Sequence, residues 1–285
     1  MLKLRDRTFG DEPLIMAIVN RTPDSFYDKG ATYAREQALR RVEQVIAEGA
    51  DIVDIGGVKA APGDEVDVAE EIERTAPFVA ELRERYPDLI ISVDTWRHEV
   101  GREVCRAGAD LLNDAWGGAD PRLAEVAAEF GVGLVCTHAG GLPPRTRPHR
   151  IEYADVMADV IAGTTALARR AVEVGVDPQR VLIDPGHDFA KNTWHSLEVT
   201  RRLGEMVATG WPVLVSLSNK DFVGESLGLP VDQRVYGTLA VSALCAWQGA
   251  RVFRAHNIAP TRQVLDMVAV TRGVRPPARA VRGLA

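Results

Sequence analysis

The sequence predicts an α/β fold, a (β/α)8 TIM barrel formed as one domain over residues 1–285, and three observations predict it. Eight short aliphatic runs recur along the chain, stretches with helical periodicity separate them, and every run ends on a polar or ionisable residue. Near-continuous apolar runs imply strands covered on both faces, the situation of parallel strands flanked by helices. Eight such units in 285 residues fit a closed barrel. A doubly wound open sheet is the alternative, but it usually carries a glycine-rich fingerprint after its first strand, where this chain reads NRTPDS.

The expected strands are LIMAIVN (14–20), DIVDIGG (51–57), LIISVD (89–94), DLLNDA (110–115), GLVCTH (133–138), VLIDPG (181–186), PVLVSLS (212–218) and VFRAHN (252–257). After the first comes REQALRRVEQVIAEG (35–49), whose Ala38, Val42, Val45 and Ile46 mark one apolar helical face. EEIERTAPFVAELRERY, PRLAEVAAEF, VMADVIAGTTALARRAVEVG and SLEVTRRLGEMVATG repeat that pattern, and several of these segments stop at Gly, the usual residue after a helix end. The stretch RVYGTLAVSALCAWQGA (234–250) differs. Leu239, Val241, Ala243, Leu244, Cys245 and Trp247 leave it little polar face, so it should be covered on both sides, by a second copy of the chain in a homodimer or within the monomer.

The strand ends carry Asn20, Asp54, Asp94, Asn113 with Asp114, His138, Asp184, Lys220, and Arg254 with His256. In a barrel these ends converge on one mouth. Any one of them could be a solvated loop residue; eight together argue for a polar pocket. Asp94, Asn113 and Asp184 are acceptors suited to a flat heterocycle with adjacent N–H donors, and Lys220 could donate to its other edge. Asn20, Arg254 and His256, with helix N-termini nearby, suit a phosphate and its magnesium. Arg21 would assist that anion or else pair with Asp54.

Bulk properties exclude several classes. A net charge of −6 gives no uniform basic surface for nucleic acid. Cys105, Cys136 and Cys245 are scattered in apolar surroundings without zinc-like spacing, and their odd number argues against a disulfide framework. The segment MLKLRDRTFGDEP lacks an apolar leader core and no run of 18 apolar residues occurs, so a cytoplasmic protein without membrane contact is expected. The basic tail from about residue 273 should be a frayed end.

In order along the chain stand IVNRTPDSF (18–26), DIGG (54–57), ISVDTWRHEV (91–100), LLNDAWGG (111–118), LIDPGHDFAKN (182–192), SLSNKDFVG (216–224), RVYGTLA (234–240) and FRAH (253–256). With these motifs the chain resembles the dihydropteroate synthases over nearly its whole length. The resemblance implies a barrel, usually homodimeric, that joins p-aminobenzoate to 6-hydroxymethyl-7,8-dihydropterin pyrophosphate and releases pyrophosphate. It places the pterin on Asp94, Asn113, Asp184 and Lys220 with Phe189 beside it. Pyrophosphate and Mg2+ fall to Asn20, Arg254 and His256. Lys220, Arg254 and His256 then serve catalysis by position and charge.

The departures from the family pattern cluster on the rim that receives the second substrate. DIGGESTRPG becomes DIGGVKAAPG, putting Lys59, Ala60 and Ala61 where the family has Ser-Thr-Arg. NVTPDSFSDGG becomes NRTPDSFYDKG, so Arg21, Tyr27 and Lys29 are new. DPGIGFGK becomes DPGHDFAK, with His187, Asp188 and Ala190, and SRKS becomes SNKD, with Asn219 and Asp221. The pattern resembles the second, divergent synthase copy of some bacteria, with weak or lost turnover. A fully active synthase, a non-catalytic binder of a pterin or related phosphorylated ligand, and a pterin-binding methyltransferase stay open as alternatives.

Overall fold

The computed structural model describes residues 1–21, 35–60, 62–146 and 151–283. Much of the NRTPDSF segment, with Tyr27 and Lys29, and also Ala61 lie outside the described residues. The chain opens with a two-stranded antiparallel hairpin, β1 (Leu2–Leu4) and β2 (Arg7–Phe9). Then follow β3 (Leu14–Asn20), α1 (Arg35–Ala47), β4 (Ile52–Gly56), α2 (Val68–Arg85), β5 (Ile90–Asp94), α3 (His98–Arg106), β6 (Leu111–Asp114), α4 (Arg122–Phe130), β7 (Gly133–Thr137) and α5 (Val156–Glu173). The second half runs β8 (Val181–Asp184), α6 (Thr193–Arg201), α7 (Leu203–Val207), β9 (Leu214–Ser216), α8 (Asp221–Leu227), α9 (Val235–Gln248), β10 (Val252–Ala255) and α10 (Ile258–Thr271).

All eight expected strands are present. Strands β3 to β10 pair in parallel in cyclic chain order, and a bridge between Ile183 and Val213 joins β8 to β9. The fold is a (β/α)8 barrel. Strand β9 is much shorter than its apolar run, so Lys220 lies four residues beyond its end, at the start of α8. The 273–283 tail contains no helix or strand. No helix among the described residues is long and apolar enough to cross a membrane.

Alternation along the strands separates two cores. Ile15, Ala17, Val19, Val53, Ile55, Ile91 and Val93 pack outward against the helices. Leu14, Met16, Ile52, Ile90, Leu111, Val135, Leu182, Leu214 and Val252 form the inner cluster together with Leu2 and Leu4 of the hairpin. The hairpin therefore plugs the bottom of the barrel. Every polar strand-end residue two positions beyond an inner apolar residue stands on the inner face, one pleat above this plug.

Helix α9 buries Thr238, Ser242, Cys245 and Ala246, but Tyr236, Ala240, Leu244 and Trp247 form an exposed stripe, with Tyr236 85% and Trp247 57% accessible. Burial wholly within the monomer is thereby excluded.

Candidate functional site

Asp54 follows Ile52, Asp94 follows Ser92 and Ile90, Asn113 follows Leu111, Asp184 follows Leu182 and Arg254 follows Val252, each at the inner-face spacing of two. This parity brings the groups together. Arg254 donates from Nε to Asp54 Oδ2 at 2.6 Å and from Nη2 to Asp94 Oδ2 at 3.0 Å. Asp54 also accepts from Ser92 Oγ at 2.6 Å and from Asn113 Nδ2 at 3.2 Å. It is fully buried and forms the hub of the inner layer. Sequence reasoning placed Asp54 at a strand end without assigning it a role in binding; its shared parity with Asp94 was the available signal.

Burial pushes the Asp94 carboxyl up to about 7, with Arg254 opposing and Asp54 reinforcing the shift. Asp184 is likewise raised by burial, opposed first by Lys220, and it accepts from Gly186 N at 2.7 Å. Lys220 donates to His187 O and holds its Nζ 4.8 Å from the centre of the Phe189 ring. Burial lowers its pKa, while Asp188 and Asp184 favour the charged form. The Phe189 ring in turn meets Trp116 edge to face at 5.0 Å. His256 Nδ1 lies 2.9 Å from Ser218 Oγ, and burial followed by the Arg254 charge pushes it down to about 3. Burial thus favours its neutral form, and the cationic side chains lining the cavity are Lys59, Lys220, Arg234 and Arg254.

These groups border a cavity of about 480 Å³ lined by Asn20, Asp94, Phe189, Lys220, Arg254 and His256 among others. Asn113 and Asp184 are buried in the strand layer beside it. Two other strand-end groups turn away. Asp114 accepts from Trp116 N at 2.9 Å and Gly118 N at 2.7 Å, shaping the loop after β6. His138 lies between Asp159 Oδ1 (2.7 Å from Nε2) and Lys191 Nζ (2.8 Å from Nδ1). Buried Lys191, a residue the sequence reading passed over, also donates to Gly186 O at 3.0 Å and Phe189 O at 3.1 Å, which pins the loop carrying Phe189. Arg21 corrects an expectation. Its guanidinium sits 4.9 Å from the Phe78 ring centre and donates toward Arg74 O, while Asp54, its alternative partner, is held by Arg254. It stands one residue past the inward Asn20 and so faces the helices.

The remaining wall carries the residues that depart from the family pattern. Lys59, Ala60, Asp188, Ala190, Asn219 and Asp221 line it, with Arg234 behind. His187 is fully buried, stacked on Phe222 at 5.4 Å and 3.0 Å from Thr200 Oγ1, and so supports the wall from outside. Asp221, 75% exposed, is paired with Arg234 Nη1 at 2.9 Å.

A profile of the family described as pterin binding enzyme matches residues 16–256. The chain is 60% identical over 279 residues to a Mycobacterium leprae protein named inactive dihydropteroate synthase 2, covering 96% of each. It is 36% identical over 256 residues to the dihydropteroate synthase of Haemophilus influenzae, covering 90% of this chain and 92% of that one. The crystal structure of Yersinia pestis dihydropteroate synthase with a sulfonamide drug superposes with a TM-score of 0.90 at 35% identity, over 96% of this chain and 99% of the other. By the matched family model and by these identities, the chain is a member of the pterin-binding enzymes, within the dihydropteroate synthase group.

Proposed function

We propose that this protein binds 6-hydroxymethyl-7,8-dihydropterin pyrophosphate at the barrel mouth and joins it to p-aminobenzoate weakly or not at all. One contrast carries the reading. The network of Asp54, Arg254, Asp94 and Asn113 with Asp184 and Lys220 is complete on the ring side, whereas the acceptor wall presents Asn219 and a carboxylate, Asp221, tied to Arg234. The name of the Mycobacterium leprae relative supports the same conclusion.

In this reading Asp94, Asn113 and Asp184 take the N–H edge of the pterin, Lys220 its other edge, and Phe189 flanks it. Arg254, His256 and Asn20 receive the pyrophosphate. Mg2+ arriving on the pyrophosphate keeps most of its coordination from phosphate and water, so a single amide oxygen is a suitable protein ligand. The Asn20 Oδ1 fits that role. It lies at the cavity wall, close enough to strand β4 that a Cβ on Gly56 would stand 3.4 Å from it. The exposed stripe of α9 serves a homodimer.

The test pairs isothermal titration of the pterin pyrophosphate with a turnover assay using p-aminobenzoate. Binding with little or no turnover is expected. Turnover at the rate of an ordinary synthase would refute the loss of activity, and no binding of the pterin pyrophosphate would refute the site itself. The Arg254-Ala255-His256 element argues against a methyltransferase, whose reaction has no leaving pyrophosphate to neutralise.

A further inference from the structure

The loop after β8 alternates left-handed residues, Gly186 at a φ of 64°, Asp188 at 65° and Ala190 at 49°, with His187 and Phe189. Glycine is required at the first of these, since a Cβ there would stand 2.1 Å from His138 O. Asp188 and Ala190 hold a conformation that L side chains disfavour, and such backbone persists only where its surroundings over-determine it.

The loop's carbonyls supply that determination by ending on side-chain donors. Lys191 Nζ donates to Gly186 O at 3.0 Å and to Phe189 O at 3.1 Å, Lys220 donates to His187 O, and Tyr153 OH donates to Ala190 O at 2.8 Å. The Phe189 N–H also ends on Gly186 O, at 3.0 Å. Lys191 is buried, and its third donor goes to His138 Nδ1 at 2.8 Å. An ammonium cannot accept, so Nδ1 carries the lone pair and Nε2 the hydrogen. That hydrogen points to Asp159 Oδ1, 2.7 Å away in the first turn of α5, and the Asp159 side chain is 55% exposed. Helix α5 packs closely on the imidazole, where a Cβ on Gly163 would come within 3.2 Å of His138 Cδ2. Burial lowers the Lys191 pKa to about 7, with Asp184 and then Asp159 among the groups opposing it. Burial also lowers His138 to about 4, and the Lys191 charge adds to that shift.

We propose that Asp159, an exposed residue of α5 that does not line the cavity, is a positioning residue for the ring site, acting through His138 and Lys191 on the loop that carries Phe189, with the pterin reading entering only as the choice of ligand. Without the carboxylate, the Nε2–H loses its acceptor and the imidazole is free to turn or change tautomer. Nδ1 then no longer fixes Lys191 between the Gly186 and Phe189 carbonyls. Phe189, packed against Trp116 at 5.0 Å, loses the seat from which it flanks the ring.

The experiment runs at about pH 6, where Lys191 is charged and His138 neutral, and titrates the pterin pyrophosphate into wild type, Asp159→Leu, Asp159→Asn and Lys191→Met. Asp159→Leu should weaken binding by about 3- to 30-fold, the range of coupling through a packed network, and should speed hydrogen exchange at the Phe189 amide. Asp159→Asn keeps a carbonyl oxygen for the Nε2–H and should stay within about threefold of wild type. Lys191→Met should weaken binding at least as much as Asp159→Leu, and combining the two should add nothing further. Heteronuclear spectra of labelled histidine should show His138 as the Nε2–H tautomer. An Asp159→Leu effect below about threefold, an Asp159→Asn variant as weak as Asp159→Leu, additive losses in the double variant, or His138 as the Nδ1–H tautomer would each overturn the proposal. If Lys191→Met does not fold, the two Asp159 variants and the tautomer decide it. Absence of pterin binding by the wild type removes the pterin reading alone, and Phe189 exchange then decides: faster exchange in Asp159→Leu supports the positioning role, and unchanged exchange overturns it.

Discussion

Replacing Asp54 with Ala tests whether the buried hub holds the mouth together. The Asp54 side chain is 0% exposed and that of Arg254 is 17% exposed, so removing the carboxylate leaves a guanidinium in a dry site. Breaking a buried pair from one side costs about 3–5 kcal/mol, because the surviving charge is uncompensated. Arg254 keeps Asp94 at 3.0 Å, which moves the expectation to the low end. Ser92 Oγ and Asn113 Nδ2 also lose an acceptor, at roughly 1 kcal/mol each when no substitute is found. These losses share one network and do not add fully. We expect Asp54→Ala to lower stability by about 3–5 kcal/mol in urea denaturation, read as a lower midpoint at constant m-value. Asp54→Ala combined with Arg254→Met should cost less than the sum of the single changes by about 1–3 kcal/mol, since the unpaired charge is then gone. A loss below about 1 kcal/mol for Asp54→Ala, or strict additivity in the double variant, would refute the hub.

Further outcomes follow from the same geometry. The raised Asp94 pKa, near 7, means that the folded state holds a proton the unfolded chain releases near 4, so this group stabilises below about pH 4 and its contribution is lost as pH rises towards 7. The difference in stability between the wild type and Asp94→Asn should follow that slope, and a flat difference between pH 4 and 7 would contradict it. A pterin N–H edge favours the carboxylate, so binding should expel a proton below pH 7 and tighten as pH rises to that point; titrations in buffers of different ionisation enthalpy measure the release. Crystals soaked in pyrophosphate should show an anion beside Arg254, and persistent water there at high ligand concentration counts against the assignment. Leu244→Glu, on the stripe with Tyr236 and Trp247, should convert a dimer to a 31.0 kDa monomer in sedimentation, while a wild type already monomeric at micromolar concentration removes the dimer.

The sequence made the strands legible because each is covered on both faces and reads as an aliphatic run. It left the hairpin unread because Leu2 and Leu4 are flanked by Lys3 and Arg5, and their burial comes from a barrel floor supplied by all eight strands. Helix α8, seven residues long, carries too few turns to show a period. The site was legible to the extent that strand parity governs it. Asn20, Asp94, Asn113, Asp184, Arg254 and His256 share the inner parity and converge. Arg21, Asp114 and His138 each sit one residue off it and face outward, because a one-residue step along a strand reverses the side chain. Counting polar strand ends without counting parity therefore gathered more residues into the pocket than the barrel admits. The pairing of Arg254 with Asp54, 200 positions apart, becomes predictable once both are assigned to the same layer of a closed barrel. Beyond the strands parity stops. Asn219 and Asp221 lie after β9, where a left-handed residue turns the chain into α8, so their setting depends on Arg234 and Asp188 from other segments. Of the groups proposed to hold the ring, Asp94, Asn113 and Asp184 are thus legible in strand periodicity, whereas Phe189 and Lys220, like Asn219 and Asp221, are placed by the loops after β8 and β9.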